Sequence, residues 1–343
     1  MIRFRLLLWL SLVSLLVFCF PPVPRLLCGG EGATGDAFWI VYLSESQIVI
    51  HVLLLLSAIV LIPVGLELSH QKRTRLMIWT EIVAACMLGL SLVMEPVDPR
   101  LMFMGVIELT RIIPVGFFLS LFWLYVRFLA LRFACSERTW LGIVSHEQIC
   151  LDMSQAFPVL GAAWLIAHRA NWTPFGFDPL IVLLTAAHFH HAGFTLPLMA
   201  GLNAKAAPGC WTRFSCVAIL AGVPLVAAGI TCTHFGVLRF VEPFGVTVLV
   251  LGALGVAVSQ MRRGMEKQHS MLTRTGFVVS GASLLAAMIL AMGFGLRHVV
   301  PNWALTMPQM WMIHGSLNAF GFGLCGLLAW RLAAASASTG KVG

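Results

Sequence analysis

Three histidines fall within four residues of one another in an apolar run. They are His188, His190 and His191, in the stretch PLIVLLTAAHFHHAGFTLPLMAGL that follows Asp178. Imidazole is a ligand for zinc, copper and iron, and it exchanges a proton near neutral pH. Such a cluster can therefore hold a metal ion, relay a proton or act as acid and base. In a helix, positions i and i+3 are neighbours, so His188 and His191 share a face. His190 is turned about 100° from His191 and must find a different partner. His314, in another apolar run, is the third candidate metal ligand beside His188 and His191. Glu108 and Arg111, also at i and i+3, are candidates for acid–base or charge-stabilising roles, together with His190 and Asn318.

The elements that must position these residues follow from composition. The chain has 343 residues, 59% of them hydrophobic and only 10% charged, and its mean hydropathy is +0.92. Soluble domains carry about 25% charged residues. The chain thus reads as all-α: a polytopic transmembrane helical bundle, a single integral membrane domain over residues 1–343. The net charge of +8 suits cytoplasmic loops rich in Lys and Arg. There is no basic run that would suggest nucleic acid. None of the nine cysteines forms a C-x-x-C pair, and most lie in apolar runs, which suits small buried hydrophobes.

Ten spans are expected, at about 6–27, 46–67, 77–95, 101–126, 149–168, 178–202, 213–235, 243–261, 277–296 and 309–332, each close to the roughly 20 residues that cross a bilayer. The first, after Arg3 and Arg5, has signal-like features but lacks a small-residue cleavage site, so it reads as an uncleaved helix. With both termini cytoplasmic, every inside segment carries at least two basic residues. Each outside segment carries one: Arg25, Arg100, Arg169, Arg239 and Arg297. This alternation is the positive-inside pattern of a multi-pass membrane protein.

Orientation gives depth. His188 lies ten residues into the sixth span, about 15 Å at 1.5 Å per residue, near the midplane of a roughly 30 Å core. Glu108 and Arg111, His51, His234 and His314 fall in the outer half. Glu67, Glu81 and Asp152 sit near inner helix ends and read as solvated or capping groups. Asn318 lies one turn below His314, and Gly315 and Gly321 permit close helix approach.

Two stretches resemble the YndJ-like family of bacterial membrane proteins. One is TAAHFHHAGFTLPLMAGL from Thr185, with its H-F-H-x-A-G-F core. The other is IHGSLNAFGFGLCGLLAWRL from Ile313, with its H-G-x-x-N-A-x-G-F run and closing L-A-W-R-L. The resemblance implies an integral membrane protein in which His188, His190, His314 and Asn318 are motif residues. It implies no substrate.

Two functions compete. One is a membrane enzyme with an intramembrane site for a transition-metal ion or acid–base chemistry, acting on a small lipophilic molecule. The other is a proton-coupled transporter or channel for an ion or small molecule. Intramembrane ionisable residues fit either, and the sequence does not decide whether the chain is an enzyme.

Overall fold

The computed structural model describes residues 45–69, 74–93, 115–136 and 145–339. Every regular element among them is helical. Besides two short 3-10 turns (Pro174–Gly176 and Pro301–Trp303), they are α1 (Glu45–Leu56), continued by a π-helical turn (Ser57–Leu61) into α2 (Ile62–Leu68); α3 (Arg75–Val93); α4 (Val115–Ser136); α5 (His146–Arg169); α6 (Pro179–Ala206); α7 (Cys210–His234); α8 (Val241–Met265); and α9 (Met271–Gly295). A last helical run begins with one turn (Met307–Gln309). It passes through π-helical stretches at Met310–His314 and Leu317–Leu324 and ends in α10 (Cys325–Thr339).

Eight helical stretches among the described residues are long and apolar enough to cross a membrane. They coincide with eight of the ten expected spans. The expected span at 6–27 lies outside the described residues. The expected span at 101–126 overlaps α4, which begins at Val115 and continues ten residues beyond 126. Arg127 and Arg132, expected in a loop, are therefore helical. Two arginines in the second half of an apolar helix hide its continuation from a hydropathy window. Glu108 and Arg111 lie outside the described residues.

The chain gathers into two compact units, and the boundaries at 60/61, 133/134, 157/158 and 190/191 fall inside continuous helices. The first takes the described residues of Met1–Val60, Lys72–Phe133 and Pro158–His190. It thus contains α1, α3, most of α4, the end of α5 and the start of α6. Its interior is apolar (Ile50, Leu54, Leu88, Leu92, Ala162, Leu165, Val182 and Leu183 are all buried), but polar groups are buried with it: His51, Glu81, Arg127, His168, Arg169 and His190. Ser91 supports the α3–α4 contact by donating its hydroxyl to the Gly116 carbonyl at 2.5 Å.

The second unit takes Leu61–Gln71, Ala134–Phe157 and His191–Gly343. Here α7 and α8 approach through glycines spaced by seven, Gly222 and Gly229 on one helix and Gly245 and Gly252 on the other. A methyl group at Gly222 would meet Leu249 Cα at 2.7 Å, and one at Gly245 would meet the Leu225 carbonyl carbon at 2.7 Å. Small residues let backbones pack where lipid supplies no hydrophobic drive between helices. Arg297, just past α9, grips Glu242 at the start of α8 through both guanidinium nitrogens, at 2.5 and 3.0 Å. Arg274 donates to the Gly264 carbonyl at the end of α8, at 3.0 Å.

Candidate functional site

The three clustered histidines of α6 meet different surroundings. His190 and His191 are buried, and His188 is exposed. Helical spacing tells which residues share a face. It does not tell which of these side chains are buried, and here His190 and His191 are, while His188 is not.

His190 is fixed at both ring nitrogens. Nδ1 lies 2.8 Å from the Ala186 carbonyl, one turn back on the same helix. Nε2 lies 3.0 Å from the indole nitrogen of Trp123 on α4. A carbonyl only accepts and an indole N–H only donates. The imidazole therefore carries its proton on Nδ1 and accepts at Nε2. Its backbone carbonyl accepts from the Ser57 hydroxyl at 2.6 Å. Ser57 opens the π-helical turn after α1. The ring lies over Gly161 of α5, where a methyl group would sit 2.5 Å from Nδ1.

The contacts continue away from the histidine. Trp123 and Arg127 are one turn apart on α4, and the guanidinium carbon lies 4.5 Å from the centre of the Trp123 ring. Arg127 in turn donates to Glu81 of α3 at 2.6 Å, with both side chains buried. Glu81, Arg127, Trp123 and His190 thus form one chain of contacts inside the first unit. Glu81 is not the solvated or capping carboxylate expected near a helix end, because the guanidinium partner compensates its burial. The one-turn spacing of Trp123 and Arg127 was the signal available in the sequence, and a loop boundary placed at 126 cut through it. The other two carboxylates near helix ends have local partners in the second unit. Glu67 pairs with Arg331 at 3.1 Å, and Asp152 accepts from Gln148 at 3.2 Å.

The second motif repeats the same hydrogen-bond logic in the second unit. His314 Nδ1 lies 2.9 Å from the Ala287 carbonyl of α9. Its Nε2 lies 3.1 Å from the Asn318 amide nitrogen, which also donates to the His314 carbonyl at 2.9 Å. That second contact settles the amide orientation, since the reverse would set two oxygens against each other. His314 is thus also an Nδ1–H imidazole accepting at Nε2. Both residues lie on helix with π-helical turns, a departure from α-helix that often occurs at functional sites. Ser280 of α9 donates to the Phe322 carbonyl within the π-helical stretch, at 3.0 Å.

His314 and Asn318 are brought together. His190 joins Trp123 and Ser57. Glu108 and Arg111 lie outside the described residues. Among the described residues, no three His, Cys, Asp or Glu side chains group as ligands for a metal ion.

Comparison with known proteins fixes the family. A family model described as YndJ-like protein matches residues 52–322. The chain belongs to the YndJ-like family. The match takes in Glu81, Trp123, Arg127, His190, His314 and Asn318. A relative from Bacillus subtilis (strain 168), the "Uncharacterized membrane protein YndJ", is 30% identical over 231 residues, covering 65% of this chain and 40% of the relative. The chain thus spans less than half the length of that relative. No solved structure matches. This YndJ-like chain is a multi-pass protein of the cell membrane.

Proposed function

We propose that this YndJ-like protein is a transporter or channel for a small ion or solute, and that the Glu81–Arg127–Trp123–His190 chain forms part of its path. The observation that carries this reading is the buried Glu81–Arg127 pair and its connection, through Trp123, to a histidine deep in a membrane-length helix. By helical rise, Glu81 lies about 9 Å from the start of α3 and His190 about 16 Å from the start of α6. The polar chain would therefore run from near one membrane boundary towards the middle. Charged groups are costly at such depth and mark ion or substrate paths.

The enzyme reading needs imidazole lone pairs free for a metal or a substrate proton. At His190 and His314 the Nε2 lone pairs already accept from Trp123 and Asn318. Rearranging these bonds is a change of conformational state, which transport requires in any case.

Proteoliposomes loaded with a pH-reporting dye test the proposal. Under an imposed pH gradient, with and without a potassium diffusion potential, the protein should collapse the gradient faster than empty liposomes do. Trp123→Phe and His190→Gln should each change that rate by about tenfold, the weight of one hydrogen bond in a charged network. Should protons, potassium, chloride and inorganic phosphate all cross no faster than in empty liposomes, the transport reading fails.

A further inference from the structure

The second unit buries polar groups that take no part in the His314–Asn318 contacts. Asn203 on α6 is 2% exposed, and neither its amide nitrogen nor its amide oxygen has a hydrogen-bond partner. Turning the amide over exchanges the two atoms and finds a partner for neither. Gln260 on α8 is fully buried. Its Nε2 donates to the Met199 sulfur at 3.2 Å, and a thioether is a weak acceptor. Its Oε1 has no partner, and neither does the buried indole nitrogen of Trp330 on α10.

Contacts between the helices bring these groups to one place. Successive spans alternate in direction, so α6, α8 and α10 run the same way. Met199 of α6 touches Gln260 of α8 through its sulfur. A methyl group at Gly326 of α10 would meet the Met199 methyl carbon at 2.7 Å. Those three residues form one layer. One turn further on, four residues past Met199 and Gly326, come Asn203 and Trp330. Residues one turn apart share a helix face, so both continue the faces already in contact. Arg263, three residues past Gln260, completes the second layer, with its guanidinium carbon 4.4 Å from the centre of the Trp330 ring. The opposite side of α6 belongs to α5. Gly201, two residues from both Met199 and Asn203, lies where a methyl group would meet the Glu147 carbonyl oxygen at 2.8 Å.

The orphan atoms are of two kinds. The Asn203 amide nitrogen and the Trp330 indole are donors, while the Asn203 and Gln260 amide oxygens are acceptors. An anion would satisfy the donors and repel the oxygens. A metal cation would do the reverse, beside a guanidinium. A neutral molecule that both donates and accepts serves all of them. Water does so in the smallest volume, and a buried water typically makes about three hydrogen bonds to such groups. The layer also lies near the end of its spans. Asn203 is three residues from the end of α6, about 5 Å by helical rise, and Arg262 and Lys267 beyond Gln260 are exposed.

We propose that Asn203, Gln260 and Trp330 form a binding site for ordered water, a hydrated pocket between α6, α8 and α10. This goes beyond the transport reading and does not depend on it, since bound water is detected without flux.

The test is X-ray radiolysis of the full chain in nanodiscs. Hydroxyl radicals formed from bound water attack the side chains beside it, and thioethers are readily oxidised. Mass spectrometry then reads each methionine. Met199 and Met288 are both buried, and Met265 is exposed. Met199 should be oxidised much faster than Met288, at a rate approaching that of Met265. In the double variant Asn203→Leu with Gln260→Leu, the Met199 rate should fall to that of Met288 while the Met265 rate holds. Leucine fills the space of either amide without orphan atoms, so the unfolding temperature should hold or rise. A Met199 rate no faster than that of Met288 in the unsubstituted protein overturns the site, and this comparison needs no variant to fold. So does a Met199 rate that the two leucines leave undiminished.

Discussion

Replacing Trp123 by phenylalanine keeps an aromatic ring beside His190 and removes a single N–H. The Nε2 atom of a fully buried imidazole then loses that donor. The expected cost is about 1–3 kcal/mol, that of stranding a buried acceptor, read as a lower unfolding temperature in detergent. Asn318→Leu should act in the same direction at His314, and more weakly, because His314 is less buried than His190. If both substitutions leave stability unchanged, the two histidines are not held as described. The sequence showed that residues 188–191 concentrate imidazoles in a span, and the i, i+3 relation of His188 and His191 was legible. Which histidine faces the interior was not legible, because the whole run is apolar and no polar stripe marks an outer side. The role of Trp123 was hidden for a related reason: its partner lies 67 residues away in sequence.

At the level of elements, close contacts between helices position these side chains. Gly161 lets the His190 ring lie against α5. A methyl group there would meet Nδ1 at 2.5 Å and the Ala186 carbonyl at 3.0 Å, the two atoms that form the histidine's own hydrogen bond. Gly161→Ala should therefore cost about 1–3 kcal/mol through overpacking. It should also lower transport together with stability, whereas Trp123→Phe should lower transport more than its effect on stability explains. Parallel losses in both variants would reduce His190 to a packing role. The pair Glu81 and Arg127 makes a complementary test. Removing either partner alone leaves a buried charge and should destabilise by about 3–5 kcal/mol, while Glu81→Gln with Arg127→Gln together should recover part of the loss. A double variant no more stable than either single one, in thermal unfolding, would show that the two charges do not compensate each other. Eight membrane-length helices were legible from hydropathy because composition alone marks them. The π-helical turns were not, since they arise from local backbone adjustment and carry no composition of their own.

For the molecule as a whole, the structure changes which arginines can speak for orientation. Charges set topology when they sit in loops near the membrane surface. Arg169 is buried in the last turn of α5, and Arg297 is paired with Glu242. Neither behaves as a free loop charge, although both were counted on the outside. Arg127 leaves the inside count for the same reason. The outside segments had one arginine each, so removing two of those arginines widens the asymmetry. By contrast, the α8–α9 connection keeps exposed Arg262 and Lys267 beside Arg263 and Arg274. A C-terminal green fluorescent protein fusion should therefore fluoresce, and a C-terminal alkaline phosphatase fusion should be inactive. Arg169→Gln should leave both readouts unchanged, because that side chain serves the interior. Neutralising Arg262, Arg263, Lys267 and Arg274 together should produce a fraction of inverted molecules with phosphatase activity. Active phosphatase on the unsubstituted chain would reverse the orientation.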